Sequence, residues 1–279
     1  MCPYPAAAKP GPANFMDERL YVRILTQARQ AGPPRRLALM LQNEPLLDPC
    51  LATRVRQAKA ILGPGTRVMT VTNGSLLTPE RADELTAAGM DSIEISLDAF
   101  RPETYARIRP GTDFHTVVSN AQAMLARPSR PRVTVRFLRQ RDNAAEEAEF
   151  VRCWESQGAR VHLMGLSSRL GDVRAFEQLH VPNPQASQAY ARAMLGRFVP
   201  RCLSPFSALT VLWDGRVQLC CQDWGPRDVV GDLARQSLAE VWNGETMNHY
   251  RHLLWSWRTE ASAVCRDCSI ISIQSGAED

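Results

Sequence analysis

The chain has 279 residues, of which 44% are apolar and 22% charged, values typical of a folded globular protein. Its net charge of +4 comes from 33 basic and 29 acidic side chains without a basic block, so nucleic acid is not an expected partner. No run of about 18 apolar residues is present, so no membrane span is expected. The N-terminus has neither the basic nor the apolar segment of a signal peptide, and we expect a cytoplasmic protein.

The first part of the chain alternates between helical and extended patterns. Helices are predicted at about 15–30, 50–62, 78–88, 102–108, 114–126 and 144–157, and strands at 37–41, 67–71, 92–97, 132–138 and 160–164. The first strand is a continuous apolar run, which is typical of a strand buried on both faces. Strands that alternate with helices indicate a parallel sheet with right-handed crossovers, either doubly wound or a barrel.

Polar segments follow each predicted strand. They are residues 42–45, 72–74, 96–98, 139–143 and 165–169. In both parallel architectures ligands bind where the strands end, so these segments predict a site at one edge of the sheet. Each segment taken singly also fits an ordinary turn, helix cap or solvated carboxylate.

Five of the eight cysteines lie in the last third of the chain. Cys202 and Cys220 flank two apolar runs joined by Asp-Gly, a strong hairpin signal, and Cys265 and Cys268 form a CxxC turn. We expect these four thiols to meet at one point, where they suit either an iron–sulfur cluster or tetrahedral zinc. Disulfides are not expected, because the chain lacks the features of a small secreted domain. Residues 170–201 connect the two parts and include a predicted helix at 185–198.

The ordered set of motifs resembles radical S-adenosylmethionine (SAM) enzymes of the SPASM/twitch subfamily. The motifs are residues 42–49, 72–74 with Leu77, 95–98 with Tyr105, 213–215, 231–233 and 241–244. The resemblance implies a partial (β/α)6 TIM-like barrel over residues 1–169 and a C-terminal auxiliary-cluster module over residues 202–279. It also implies SAM and a [4Fe–4S] cluster as cofactors.

The N-terminus departs from the family pattern of a CxxxCxxC loop after a first strand. Residues 1–5 resemble the tail of that loop, with Cys2 as its last cysteine and Tyr4 beside the SAM cluster. A single thiolate cannot hold a cluster that needs three or four, so we expect that the chain begins at an internal methionine or has been trimmed. The alternative is that Cys2 is a stray thiol at a frayed end.

The resemblance assigns roles to the residues at the predicted edge. Glu44 would accept hydrogen bonds from the SAM ammonium, while Ser96 and Asp98 would hold the ribose hydroxyls. Arg136 would pair with the SAM carboxylate, although an inward-packed or solvated arginine is an equal alternative. Asn43 stands where the family has glycine, which puts the SAM contacts on that side in question.

The resemblance further implies that Cys202, Cys220, Cys265 and Cys268 hold an auxiliary [4Fe–4S] cluster. The spacing is most similar to the aminocyclitol dehydrogenases of the family, in which the second cluster takes up the electron left on the substrate radical. We therefore expect an oxidoreductase that acts on a small polyol or aminosugar and is reduced by a flavodoxin or ferredoxin.

Cys221 falls outside the four-ligand set and is either a spare thiol, an alternative ligand or a hydrogen-atom donor. A hydrogen-atom donor would make the protein an epimerase. Two further functions stay open at this point: a maturase that acts on a peptide, and a non-catalytic metal-binding scaffold.

Overall fold

The computed structural model describes residues 15–167, 177–181, 200, 202–225, 227–258, 262–266 and 268. The chain divides into two compact units. The first contains residues 28–166 and 179–181, and the second contains residues 15–27, 167, 177–178 and the described residues from 200 onward. The predicted domain limits at 169 and 202 stay a prediction, and the helix predicted at 185–198 lies outside the described residues.

The first unit is built on five parallel strands in the order β1-β2-β3-β4-β5. The strands are β1 (Arg36–Ala38), β2 (Arg67–Thr72), β3 (Ser92–Ser96), β4 (Arg132–Arg139) and β5 (Arg160–Gly165). Helix α1 (Glu18–Ala31) precedes this unit and only its last residues belong to it. The other helices are α2 (Leu51–Leu62), α3 (Pro79–Ala87), α4 (Pro102–Ile108), α5 (Phe114–Leu125) and α6 (Glu147–Ser156). The predicted α/β class with a parallel sheet is confirmed.

The two faces of this sheet differ in chemistry. Side chains alternate along a strand, and on β3 and β4 the buried set is Ile93, Ile95, Val133, Val135 and Phe137, each no more than 3% exposed. The alternate positions of the same strands carry polar side chains. They are Ser92, Glu94, Ser96, Thr134 and Arg136. The sheet therefore has one face packed in the apolar core and one polar face.

Two local expectations about this unit were wrong. The first strand is shorter than predicted, and its ends Arg36 and Ala38 are exposed because, among the described strands, β1 pairs only with β2. The helix predicted at 144–157 begins as a 3-10 turn, Ala144–Glu146, before α6 starts. The buried Glu146 carboxylate accepts hydrogen bonds from the N–H groups of Phe100 and Arg101, which holds that turn in place.

The second unit contains a three-stranded antiparallel sheet. Its elements are the strands β6 (Thr210–Val211), β7 (Arg216–Gln218) and β8 (Val229–Asp232), and the helices α7 (Ser204–Ser207), α8 (Leu238–Asn243), α9 (Glu245–Trp255) and α10 (Ala263–Arg266). The antiparallel pairing of β6 with β7 confirms the predicted hairpin. A capping box of Ser237 and Glu240 starts α8.

Helix α1 contributes its residues up to Gln27 to the second unit. Ile24 packs on the apolar core of this unit, and Gln27 Oε1 accepts a hydrogen bond from the Leu238 N–H at 2.6 Å. This part of α1 thus supports the apolar core of the second unit. No helix in the described parts of the chain has the length and hydropathy needed to cross a membrane.

Candidate functional site

Glu44 joins the loops that follow β1 and β2. Its Oε1 accepts hydrogen bonds from the hydroxyl of Thr72 at 2.7 Å and from the Leu46 N–H at 3.0 Å. Its Oε2 accepts from the Asn73 N–H at 2.8 Å. Two of the polar segments predicted to share one edge of the sheet therefore meet there. Asn43 is exposed, and its Oδ1 accepts a hydrogen bond from the Glu44 N–H at 2.9 Å.

The turn after β2 requires glycine. Gly74 has φ +79°, and a Cβ at this position would lie 3.0 Å from methyl groups of both Ile95 and Val117. The Asn120 side chain donates to the Gly74 carbonyl at 2.9 Å. The Thr-Asn-Gly segment is thus a rigid platform that presents Asn73 toward Glu44.

Asp98 follows β3 and connects it to the end of β4 through a hydrogen bond. It is 1% exposed and has φ +62°, a left-handed conformation that is uncommon outside glycine. Its Oδ2 accepts from Arg109 Nε at 2.8 Å and its Oδ1 from the Leu138 N–H at 2.7 Å. Asn143 donates to the Asp98 carbonyl at 2.8 Å. Both carboxylate oxygens of this predicted ribose ligand are therefore engaged by the protein.

Ser96 and Arg136 are register partners on β3 and β4. Ser96 is half-buried on the polar face. Arg136 Nε lies 3.0 Å from the Met164 sulfur and 3.5 Å from Glu94 Oε2, and its side chain is 15% exposed. In this structure Arg136 is an inward-packed arginine that pairs with a carboxylate. Its contact with the SAM carboxylate stays a prediction.

The four cysteines of the predicted auxiliary site share one apolar core in the second unit. Cys265 is 8% exposed within this core, and Cys202, Cys220 and Cys268 pack against it. Burial raises the pKa of Cys202, and burial raises the pKa of Cys265 to about 11. The pKa of Cys220 is also raised, mainly by a hydrogen bond with Cys221 and to a smaller extent by burial.

Four thiols held in one apolar core fit the donor set of a [4Fe–4S] cluster or of structural zinc. Across the described residues, no three Cys, His, Asp or Glu side chains converge closely enough to hold a metal ion. The shared core therefore brings the four thiols to one part of the second unit without forming a closed metal site. Cys221, the fifth cysteine of this module, is exposed.

A buried carboxylate that the sequence did not single out supports Cys265. Asp228 is 8% exposed and accepts hydrogen bonds from the Tyr250 hydroxyl at 3.0 Å and the Ser262 hydroxyl at 2.8 Å. Ser262 in turn accepts from the Cys265 N–H at 3.1 Å. Asp228 immediately precedes β8, and only its placement next to apolar residues could have indicated a buried role.

The first unit does not supply the ligands of a SAM-binding cluster among its described residues. Cys2 and Tyr4 lie outside the described residues. Cys50 is exposed at the start of α2, and Cys153 is half-buried on α6. These two thiols belong to different helices and to no CxxxCxxC sequence.

Comparison with known proteins gives two domain matches. The radical SAM superfamily matches residues 1–150, which is more than half of the chain. The iron–sulfur cluster-binding domain SPASM matches residues 202–269, a range that contains all four cysteines of the shared core.

One relative is similar to this chain over most of the length of both proteins. The S-adenosyl-L-methionine-dependent 2-deoxy-scyllo-inosamine dehydrogenase of Niallia circulans is 23% identical over 262 residues, covering 93% of this chain and 82% of that enzyme. GTP 3′,8-cyclase 1 of Mycobacterium tuberculosis H37Rv is 35% identical, but over 86 residues that span 30% of this chain and 24% of the cyclase.

Two solved structures share the fold. The BtrN complex with AdoMet and 2-DOIA superposes with a TM-score of 0.63 at 19% identity, covering 98% of this chain and 87% of BtrN. Native anSMEcpe with bound AdoMet has a TM-score of 0.66 at 11% identity, covering 95% of this chain and 82% of that one. At these identities the likeness shows the fold alone.

Proposed function

This chain belongs to the radical SAM superfamily of enzymes, and from that premise we propose that it oxidises a small polyol or aminosugar. The supporting observation is the extent of its similarity to the Niallia circulans dehydrogenase, which covers 93% of this chain and 82% of that enzyme. The similarity to the GTP cyclase is confined to 30% of the chain and gives weaker support for a nucleotide substrate.

Radical SAM and SPASM domains bring SAM and [4Fe–4S] clusters as cofactors. When bound, they supply a 5′-deoxyadenosyl radical that abstracts hydrogen from the substrate. The protein's part is to bind, to orient and to exclude competing reactions.

Glu44 is our proposed ligand for the SAM ammonium. A carboxylate offers about four lone-pair positions, and the three hydrogen bonds from Thr72, Leu46 and Asn73 leave room for one further donor. An ammonium in that position would form a charge-assisted bond on a carboxylate that is already fixed. Ser96 is the proposed ribose ligand, because its hydroxyl faces the polar side of the sheet without being fully buried.

Asp98 would act on SAM indirectly. Its bonds to Arg109 and Leu138 hold the ends of β3 and β4 together, and Ser96 lies two residues before it. In this proposal Asp98 sets the position of Ser96, because a side chain that is only 1% exposed leaves little surface for a direct contact with the ribose.

The auxiliary centre is the proposed electron acceptor. Cys202, Cys220, Cys265 and Cys268 would hold a [4Fe–4S] cluster, and Asp228 would fix the turn that carries Cys265. We further propose that a flavodoxin or ferredoxin is the reductant and that the protein works in a reducing cytoplasm. None of the described cysteines forms a disulfide bond, which leaves their sulfur atoms available for ligation as thiolates.

Epimerisation is the second candidate function, and one observation favours it. Cys221 is exposed in the module although its neighbour Cys220 belongs to the shared core. An exposed thiol next to the auxiliary site could return a hydrogen atom to a substrate radical.

The proposal is tested on anaerobically purified protein that carries a complete N-terminal CxxxCxxC loop, because the described residues of the first unit do not supply the ligands of the SAM-binding cluster. The readouts are the iron, sulfide and zinc content, and ketone formation from 2-deoxy-scyllo-inosamine with SAM and a reductant. We expect that Cys265→Ser removes about four irons and four sulfides per chain relative to the wild type, the content of one cubane cluster. The ketone should also be lost. The matched control is Cys153→Ser, a half-buried thiol on α6 that should change neither readout.

Three contrary outcomes would each change the proposal in a different way. Zinc without sulfide would replace the electron-acceptor proposal with a scaffold. Unchanged metal content with loss of turnover in Cys221→Ser would favour the epimerase. An intact auxiliary cluster without ketone formation from the aminocyclitol would leave the oxidoreductase but reject this substrate.

A further inference from the structure

A cavity of about 280 Å³ lies on the polar face of the first unit's sheet, at the end where the strands begin. Four arginines line it, and each is the first residue of its strand: Arg36 of β1, Arg67 of β2, Arg132 of β4 and Arg160 of β5. The candidate SAM edge lies at the opposite end of the strands. Ser92 and Ser96 mark these two ends of β3, about 13 Å apart at the usual rise per residue.

The sheet register places two of these guanidinium groups side by side. Arg36 is the register partner of Arg67 in the parallel pair β1–β2. Arg132 follows across β3, where it pairs with Ser92, and Arg160 pairs with Thr134 on β4. Like charges on facing positions of neighbouring strands destabilise a sheet. The fold therefore carries an unfavourable cluster that a bound anion would neutralise.

The described residues provide few partners that could balance the positive charge of these four arginines. Within the described residues, none of the four forms an ion pair or a side-chain hydrogen bond. The cavity contains one carboxylate, that of Glu94, and this group already lies 3.5 Å from Arg136. His162, which also lines the cavity, adds no negative charge. The site is thus strongly basic on a chain whose net charge is only +4.

We propose that this cavity is a binding site for a multiply charged oxyanion of the phosphate or diphosphate class. Guanidinium groups bind such oxygens in a bidentate fork, and several converging forks favour a ligand with more than one negative charge over a single carboxylate. The walls of the cavity concentrate the positive potential, which raises the local concentration of anions. The site is separate from the edge that holds Glu44 and Ser96, and the proposal does not depend on the proposed function.

The test is isothermal titration with inorganic diphosphate and with inorganic phosphate, at constant ionic strength set by chloride. We expect wild-type protein to bind diphosphate more tightly than phosphate. Arg36→Gln with Arg132→Gln should weaken diphosphate binding about a hundredfold, or about tenfold for each guanidinium removed. The matched control is Arg56→Gln with Arg107→Gln, which removes the same charge from two exposed helix positions.

A second readout is protein stability without the anion. Arg36→Gln removes one of the two like charges in register, so its unfolding midpoint in urea should rise, whereas that of Arg56→Gln should not. Absence of diphosphate binding at millimolar concentration would overturn the proposal. Equal losses in the site variant and the control would also overturn it, because the binding would then reflect net charge alone.

Discussion

At the scale of single residues, the pair of Asp98 and Arg109 is the most constrained contact of the candidate edge. The Asp98 side chain is 1% exposed and the Arg109 side chain 21% exposed. Asp98→Asn keeps the size of the side chain but leaves the arginine without its charged partner. We expect a loss of about 3 kcal/mol in the free energy of unfolding, as found when one member of a buried pair is removed.

Urea unfolding of the first unit checks this value. Asp83→Asn is the matched control, because Asp83 pairs with Arg127 at 2.7 Å while its own side chain is 69% exposed. An exposed pair contributes about 0–1 kcal/mol, so the control should lose little. Equal losses in the two variants would mean that Asp98 does not hold the ends of β3 and β4 as argued.

The sequence predicts the contacts of some site residues and not those of others. The proximity of Glu44 to Thr72 follows from the rule that parallel strands end at one edge. The engagement of Asp98 by Arg109 does not follow, because it depends on a left-handed turn and on where α4 ends. Asp228 was missed for a similar reason: its partners Tyr250 and Ser262 are far away in the sequence.

At the scale of elements, the contact of β8 with α8 explains one of the C-terminal motifs. Gly231 lies on β8, and a Cβ there would be 2.6 Å from a methyl carbon of Val241 on α8. Val241 is 1% exposed, so it has no room to move. The motifs around Gly231 and Val241 are thus two sides of one packing contact.

Gly231→Ala should destabilise the second unit by about 1–3 kcal/mol, the usual cost of overpacking a core. Adding Val241→Ala removes the clashing methyl groups, so the double variant should lose less stability than the sum of the two single variants. Gly65→Ala is the control, since nothing lies within 4 Å of a Cβ at that position. Thermal unfolding measures all four variants, and additive losses would contradict the contact.

Helices and strands with a strong periodicity were predictable from the sequence, but the residues at which they begin and end were not always predictable. Helix α4 (Pro102–Ile108) matches its prediction because proline fixes its start, and β6 with β7 matches because Asp-Gly sets the turn. The 3-10 turn before α6 was not predictable, since the buried Glu146 carboxylate that fixes it contacts a loop about 45 residues away. Contacts between distant segments decide such details, and periodicity does not report them.

At the scale of the whole molecule, metal binding should stabilise the two units unequally. The proposed auxiliary ligands all belong to the second unit, and three of them pack against the apolar core that contains the fourth. Metal that binds only the folded form adds its binding free energy to the stability of the unit that holds it. A ligand at about a hundred times its dissociation constant contributes about 2.7 kcal/mol.

Hydrogen exchange on metal-loaded and chelator-treated protein tests this prediction. On metal removal, amides of β7, β8 and α9 should exchange about a hundredfold faster, because about 2.7 kcal/mol of stability is lost there. Amides of β3 and β4 should change little. The Cys265→Ser variant should match chelated wild type before any treatment, while Cys153→Ser should behave as loaded wild type. Equal acceleration in both units would mean that the metal does not reside in the second unit alone, and no acceleration would contradict a metal site at these cysteines.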